Sequence, residues 1–366
     1  MAPPISASEV AALADKWNAK RDANFVNILK ELPANVGDKL ENSRNSIPTV
    51  LYRAFNSNST GDIPILNTTN GIIPPPYAHE HLPDKKLGFT MDTFGKLKDR
   101  TIDHLTTEKV EDGTEWSSWT ASLLLALRYA YYKHVKKGGE AYIAIIKTKV
   151  LSSGQQRIYH VPALCSAFEG EDVANYAHEY LVLGVVAGTG FHAVEMQRLI
   201  DNRLLSIDAL GSFLLLYFEK NDAYAFKARE RMFGTRAVRK ERMGDLFLFH
   251  EPKDAKLVTS SQALRAKTLA LACTREATGV DDDNLLFMLT VAFLGLRRRF
   301  WDDTESPEFE KDQIQILTDL QAAPDSCFAL DFLKEDASVM SDIVWVDGYP
   351  EIEQTIRMLR ALASIE

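Results

Sequence analysis

Apolar residues recur along this chain in two rhythms, and the change between them divides it. Up to about residue 190, short apolar runs bounded by Gly, Asn, Ser and Pro dominate, the signature of strands. Residues 47–55, 141–147, 157–161 and 180–186 fit it. Helical spacing appears in the same part at Val10, Leu13, Trp17, Phe25, Ile28 and Leu29, predicting a helix over 6–32 with Ser6 and Glu9 as a capping box. It recurs at Leu124, Leu127, Tyr131 and Val135, and a short amphipathic helix is expected over 91–104. Residues 60–112 are otherwise rich in turn and polyproline signals, and 168–175 read as an acidic loop or turn. After residue 192 the period is helical throughout, over 192–218, 222–232, 262–277, 284–299, 305–320 and 349–365. The expected class is α+β: an N-terminal helical segment (1–44), a β-rich domain (45–191) and an all-α helical domain (192–366).

Polar residues that interrupt the strand pattern are the candidates for chemistry. Glu179 opens the run 180–186, and a carboxylate entering a buried strand is costly unless something requires it. Arg53 is a cation inside the apolar segment 47–55, where an outward-facing arginine is the ordinary reading. Ser117, Ser118 and Thr120 cluster between and beside Trp116 and Trp119, just before a helix. Helix capping accounts for one hydroxyl there, but not for the aromatic flanks. His79 and His81 flank Glu80 in the loop-rich stretch with no third metal ligand at a convincing spacing, so no metal site is expected. Gly188-Thr189-Gly190 lacks a third glycine and the strand order of a dinucleotide fingerprint.

Composition narrows the function classes. With 46% hydrophobic and 25% charged residues the 366-residue chain can bury a core. Net charge is −9, which argues against nucleic-acid binding by the surface as a whole. The charge is uneven, near −1 up to residue 190 and near −8 beyond. A small anionic ligand suits the first part better than a polyanion. Against the acidic second part stands a basic stretch of Lys227, Arg229, Arg231, Arg236, Arg239, Lys240 and Arg242, which reads as a solvated helix face or as a docking patch for an anionic partner. Cys165, Cys273 and Cys327 lie far apart, with no zinc spacing and an odd count, so a reducing compartment is expected. The longest apolar run, 285–296, is too short to span a bilayer, and residues 1–20 hold no signal-type apolar core. The expectation is a soluble intracellular protein, or one exported without a readable signal.

Arg53, Ser118 and Glu179 follow one another at separations of 65 and 61 residues. Arginine on a strand, hydroxyls at a strand-to-helix junction and glutamate opening a later strand resemble the ADP-ribosyltransferase fold of the arginine–serine–glutamate kind. Leu51-Tyr52-Arg53 and Glu179-Tyr180-Leu181 also resemble a poorly characterised fungal domain family of that layout. The resemblance covers about 45–190 and implies a split β-sheet domain that takes NAD as substrate. It implies that Glu179 stabilises an oxocarbenium-like ribose, that Arg53 grips the NAD phosphate or ribose, and that Ser118 or Thr120 positions the ribose. Trp116 or Trp119 would stack near the nicotinamide. The middle triplet departs from the family, reading Ser118-Trp119-Thr120. Ala177 stands where enzymes of this kind that modify arginine, asparagine or nucleobases carry a Gln or Glu that engages the acceptor. The resemblance therefore implies NAD binding more directly than transfer to a particular acceptor. Two expectations follow: a mono-ADP-ribosyltransferase or NAD glycohydrolase, or a catalytically inactive interaction module on the same fold.

Overall fold

In a computed structural model, the structure describes residues 5–44, 47–56, 66–78, 94–106, 113–137, 140–153, 157–168, 178–207, 260–274, 283–294 and 296. The chain divides into two compact units, Met1–Ala121 with Lys137–Ala193, and Ser122–Lys136 with Val194–Glu366. Described helices and antiparallel strands together make an α+β protein.

The first unit opens on α1 (Ala7–Lys30) and α2 (Ala34–Ser43). The capping box forms: the Ser6 N–H donates to Glu9 Oε2 at 2.8 Å and the Glu9 N–H donates to Ser6 Oγ at 3.3 Å. A six-stranded sheet follows, built from β1 (Val50–Asn56), β4 (Trp116–Thr120), β5 (Ala141–Lys147), β6 (Arg157–His160), β7 (Glu179–Leu183) and β9 (Phe191–Glu195) in the order β6-β7-β4-β1-β5-β9. The small strands β2 (Asn67–Thr68), β3 (Gly71–Ile72) and β8 (Val186–Ala187) form a second sheet. Helices α3 (Phe94–Thr106), α5 (Thr148–Ser153) and α6 (Val161–Ala167) complete the unit.

The run 180–186 is continuously apolar because β7 is covered on both faces. Leu181 and Leu183 pack with Trp116, Tyr159, Leu40, Leu97 and Leu164. Tyr180 and Val182 pack on the other side with Trp119, Leu51, Phe55 and Ile146. A third cluster seats Val10, Leu13 and Trp17 of α1 against Ile73, Tyr77 and Val185. Glu41 of α2 accepts hydrogen bonds from Tyr159 and Arg157 of β6, tying α2 to the sheet edge.

In the second unit, α4 (Leu123–Lys137) is capped by Ser122, whose Oγ accepts the Leu125 N–H at 3.1 Å. Helices α7 (Met196–Asp201), α8 (Ser260–Thr274) and α9 (Asp283–Leu294) are described there too, α8 and α9 packing on one another. The helical reading of 192–218 is corrected at its start: Phe191–Glu195 is a strand. Phe191 and Ala193 join the apolar cluster of Trp119, a period of two that the helical residues from Met196 obscured. Strand β9 therefore runs past the boundary expected at 191. The remaining helices expected at 222–232, 305–320 and 349–365 lie outside the described residues.

Helix α1 approaches the small sheet at Gly71, where a Cβ would stand 2.6 Å from Val10 Cγ1 and 2.6 Å from the Val186 carbonyl oxygen. The second contact is backbone and cannot swing away. Gly71→Ala should therefore destabilise the first unit by about 1–3 kcal/mol, read as a lowered midpoint in urea unfolding. A wild-type midpoint would show that both α1 and the Val186 backbone can shift without loss.

Candidate functional site

Strand β4 lies between β7 and β1, so adjacent strands carry Glu179, then Ser118 and Thr120, then Arg53. Thr120 stands directly across from Glu179, and Ser118 across from Leu181. Alternation along each strand puts Ser118, Thr120 and Glu179 on one face. The Ser118 hydroxyl acts on the Glu179 carboxylate as a hydrogen-bonding neighbour that lowers its pKa. On the other flank, β1 pairs with β4 at Tyr52–Thr120. Beyond that pair, Arg53 Nη1 donates to the Ser118 carbonyl oxygen at 2.7 Å. One residue thus holds both charged partners, the arginine by its main chain and the glutamate by its side chain.

A fourth residue, His104 of α3, completes the cluster. Its Nε2 is 2.8 Å from Ser118 Oγ, and its Nδ1 hydrogen-bonds the Thr114 hydroxyl. Its orientation is fixed by the way α3 clasps the start of β4. Arg100 donates from Nε to Glu115 Oε2 at 3.3 Å and from Nη2 to the Gly113 carbonyl at 2.7 Å. Trp116 Nε1 donates to Thr101 Oγ1 at 3.0 Å. Leu97, Arg100, Thr101 and His104 follow the spacing of a single helix face. Gly113, at φ 66°, lets the turn into β4 pass Pro75, whose Cγ would stand 2.3 Å from an added Cβ.

The electrostatics follow from burial. Desolvation raises the Glu179 pKa above its ordinary 4.5, while the Ser118 hydrogen bond and the Arg53 charge pull it back. Desolvation lowers Arg53 to about 10, against the attraction of Glu179. His104 is pushed down to about 3, first by burial and then by the Arg53 charge, so its imidazole is neutral at physiological pH. The half-buried Cys165 thiol is raised by burial and by the Glu179 charge. Arg53 Nε is buried with no hydrogen-bond partner among the described residues. A guanidinium with a donor unspent beside a carboxylate suits an anionic ligand that also carries hydroxyls.

Arg53, Ser118, Thr120 and Glu179 are brought together. The tryptophans are not open to a ligand, which corrects the stacking role expected of them. Trp116 is 2% exposed in one apolar cluster and Trp119 1% exposed in another. Their N–H groups are used by Thr101 and Ser117. The aromatic flanks serve the two cores that enclose β4. His104 was missed: apart from its place at the end of an amphipathic segment, no spacing in the sequence joins it to Ser118. Ala177, His79, His81 and the basic stretch 227–242 lie outside the described residues. Among the described residues no group of three metal-ligating side chains assembles, and no helix is long and apolar enough to cross a membrane.

The His104 environment has a consequence for acid stability. A histidine whose pKa is depressed in the folded state contributes stability that is present above its ordinary value of 6.5. That stability is lost as pH falls toward the folded value of about 3. Between pH 7 and pH 5 this amounts to about 1–2 kcal/mol. Glu179, raised in the folded state, acts in the opposite sense at lower pH, so the comparison needs a variant lacking only the imidazole. Urea unfolding at the two pH values should show wild type losing about that much more stability than His104→Gln. Equal losses would place His104 in a wetter, less cationic setting.

A family model described as a domain of unknown function, DUF7587, matches residues 46–189. That span contains Arg53, His104, Thr114, Ser118, Thr120 and Glu179. The chain finds no match among curated proteins or among solved structures.

Proposed function

We propose that this cluster binds NAD and cleaves its nicotinamide–ribose bond, making the protein an NAD glycohydrolase or mono-ADP-ribosyltransferase on an ADP-ribosyltransferase-like split-sheet domain. The observation that carries the reading is the convergence of Arg53, Ser118 and Glu179 from three neighbouring strands. Glu179 opening β7, Ser118 in the strand before α4 and Arg53 on β1 fit the order that the resemblance requires. The unspent donor of Arg53 would take a pyrophosphate oxygen.

The chemistry asks for little more. As the C1′–N bond breaks, its electron pair leaves with nicotinamide and positive charge grows on the ribose. The Glu179 carboxylate favours that state by its charge and by accepting from the ribose 2′-hydroxyl. Ser118 keeps the carboxylate in place. The C1′ cation is captured by water or by an acceptor nucleophile, which then gives up a proton. Ala177 offers no side chain to engage an acceptor, which favours water. The carboxylate must be ionised, so burial of Glu179 works against activity at low pH and Arg53 works for it.

Incubation with labelled NAD tests the reading by nicotinamide release and by label transfer. Wild type should release nicotinamide, and Glu179→Gln should lower kcat by about 100-fold or more, the range for losing one strong transition-state contact. Arg53→Ala should act mainly through a raised KM. The wild-type rate should climb with pH along a limb whose midpoint lies above 4.5, the ordinary Glu value. NAD binding without turnover would make the domain an inactive module, and no NAD binding would end the proposal.

A further inference from the structure

His104 invites a reading as a general base, since its Nε2 lies 2.8 Å from the Ser118 hydroxyl. A serine nucleophile activated in that way would leave an imidazolium behind. The surroundings oppose one, because Arg53 stands close and the ring is desolvated. The site is built to keep this histidine uncharged, and its role has to be one that a neutral ring can perform.

Proton counting along the cluster supplies that role. With Glu179 ionised, as the proposed chemistry requires, its carboxylate only accepts, so the Ser118 hydroxyl on the same sheet face donates to it. A hydroxyl has one proton, so Ser118 Oγ must accept from its other partner, His104 Nε2. A neutral imidazole protonated at Nε2 has a bare Nδ1, which must accept from Thr114. The four groups therefore form one directional run: Thr114 O–H to Nδ1, Nε2–H to Ser118 Oγ, Ser118 O–H to Glu179. Among the described residues, the charged and titratable groups coupled to Glu179 are Arg53 from β1 and Cys165 from α6. Neither contributes a hydrogen bond to the run.

We propose that His104 is a positioning residue. As a neutral donor from Nε2, locked by Thr114 and by the α3–β4 clasp, it commits the only proton of the Ser118 hydroxyl to Glu179. This inference rests on the proposed site for its catalytic consequence, but the tautomer does not depend on any turnover.

Nitrogen NMR of full-length protein with labelled histidine tests it directly, His104→Gln identifying the ring signals. At pH 7.5, a neutral ring protonated at Nε2 is expected, and Ser118→Ala should shift the balance toward protonation at Nδ1. A ring protonated at Nδ1 in wild type, an imidazolium, or a tautomer indifferent to Ser118→Ala overturns the proposal. Nicotinamide release gives the second arm. His104→Ala should lower kcat about tenfold and move the acid limb of the rate to higher pH, because Ser118 no longer gives its proton to Glu179. His104→Gln, which keeps a donor near the Nε2 position without a base, should recover most of that loss. Equal loss in the Gln and Ala variants, with unfolding midpoints alike, would make His104 a base and sink the positioning role. If wild type shows no turnover the proposed function fails, while the spectra still decide the tautomer.

Discussion

Taking an arginine and a glutamate out of water on neighbouring strands is the constraint on which this site depends. Both side chains are only part-buried, yet desolvation shifts each, and each is held partly by the other. Their direct attraction is not sufficient, because desolvation is the larger influence on both. The strand between them supplies the rest. Ser118 presents a carbonyl to the cation and a hydroxyl to the anion, so one position on β4 meets both needs.

That arrangement requires β4 to be stiff, and its surroundings make it so. Its two tryptophans are sunk into different apolar clusters, one holding α2, α3 and α6 residues and the other holding residues of β1 and β5. The clasp from α3 adds Arg100 on Glu115 and Gly113, and Thr101 under the Trp116 indole. Glu115, three residues before Ser118, is fully buried beside Arg100, a carboxylate–guanidinium pair of its own. Rigidity of this kind is what the proposed chemistry needs, since a small displacement of a carboxylate loses much of its electrostatic effect.

Much of the site was legible from interruptions of pattern. Arg53 and Glu179 are conspicuous because residues 50–55 and 179–183 are otherwise apolar or aromatic, and the hydroxyl cluster of 117–120 stands out against its flanks. The capping signal at Ser6 was equally readable, being local chemistry. Three features were not legible, for different reasons. The tryptophans looked like ligand platforms because burial cannot be told from exposure by residue type. Strand 191–195 was hidden by the helical period that follows it. His104 depends on helix–strand packing ten or more residues away, a tertiary fact with no local trace.

The double use of Ser118 has an evolutionary consequence. The carbonyl that seats Arg53 belongs to the main chain and survives any change of residue identity at 118, whereas the hydroxyl that steadies Glu179 does not. Under the proposed function, binding and chemistry are therefore separable traits, divided at one codon. If the protein acts on NAD as proposed, a descendant could surrender turnover there and keep its grip on the dinucleotide, passing from enzyme to sensor without moving Arg53.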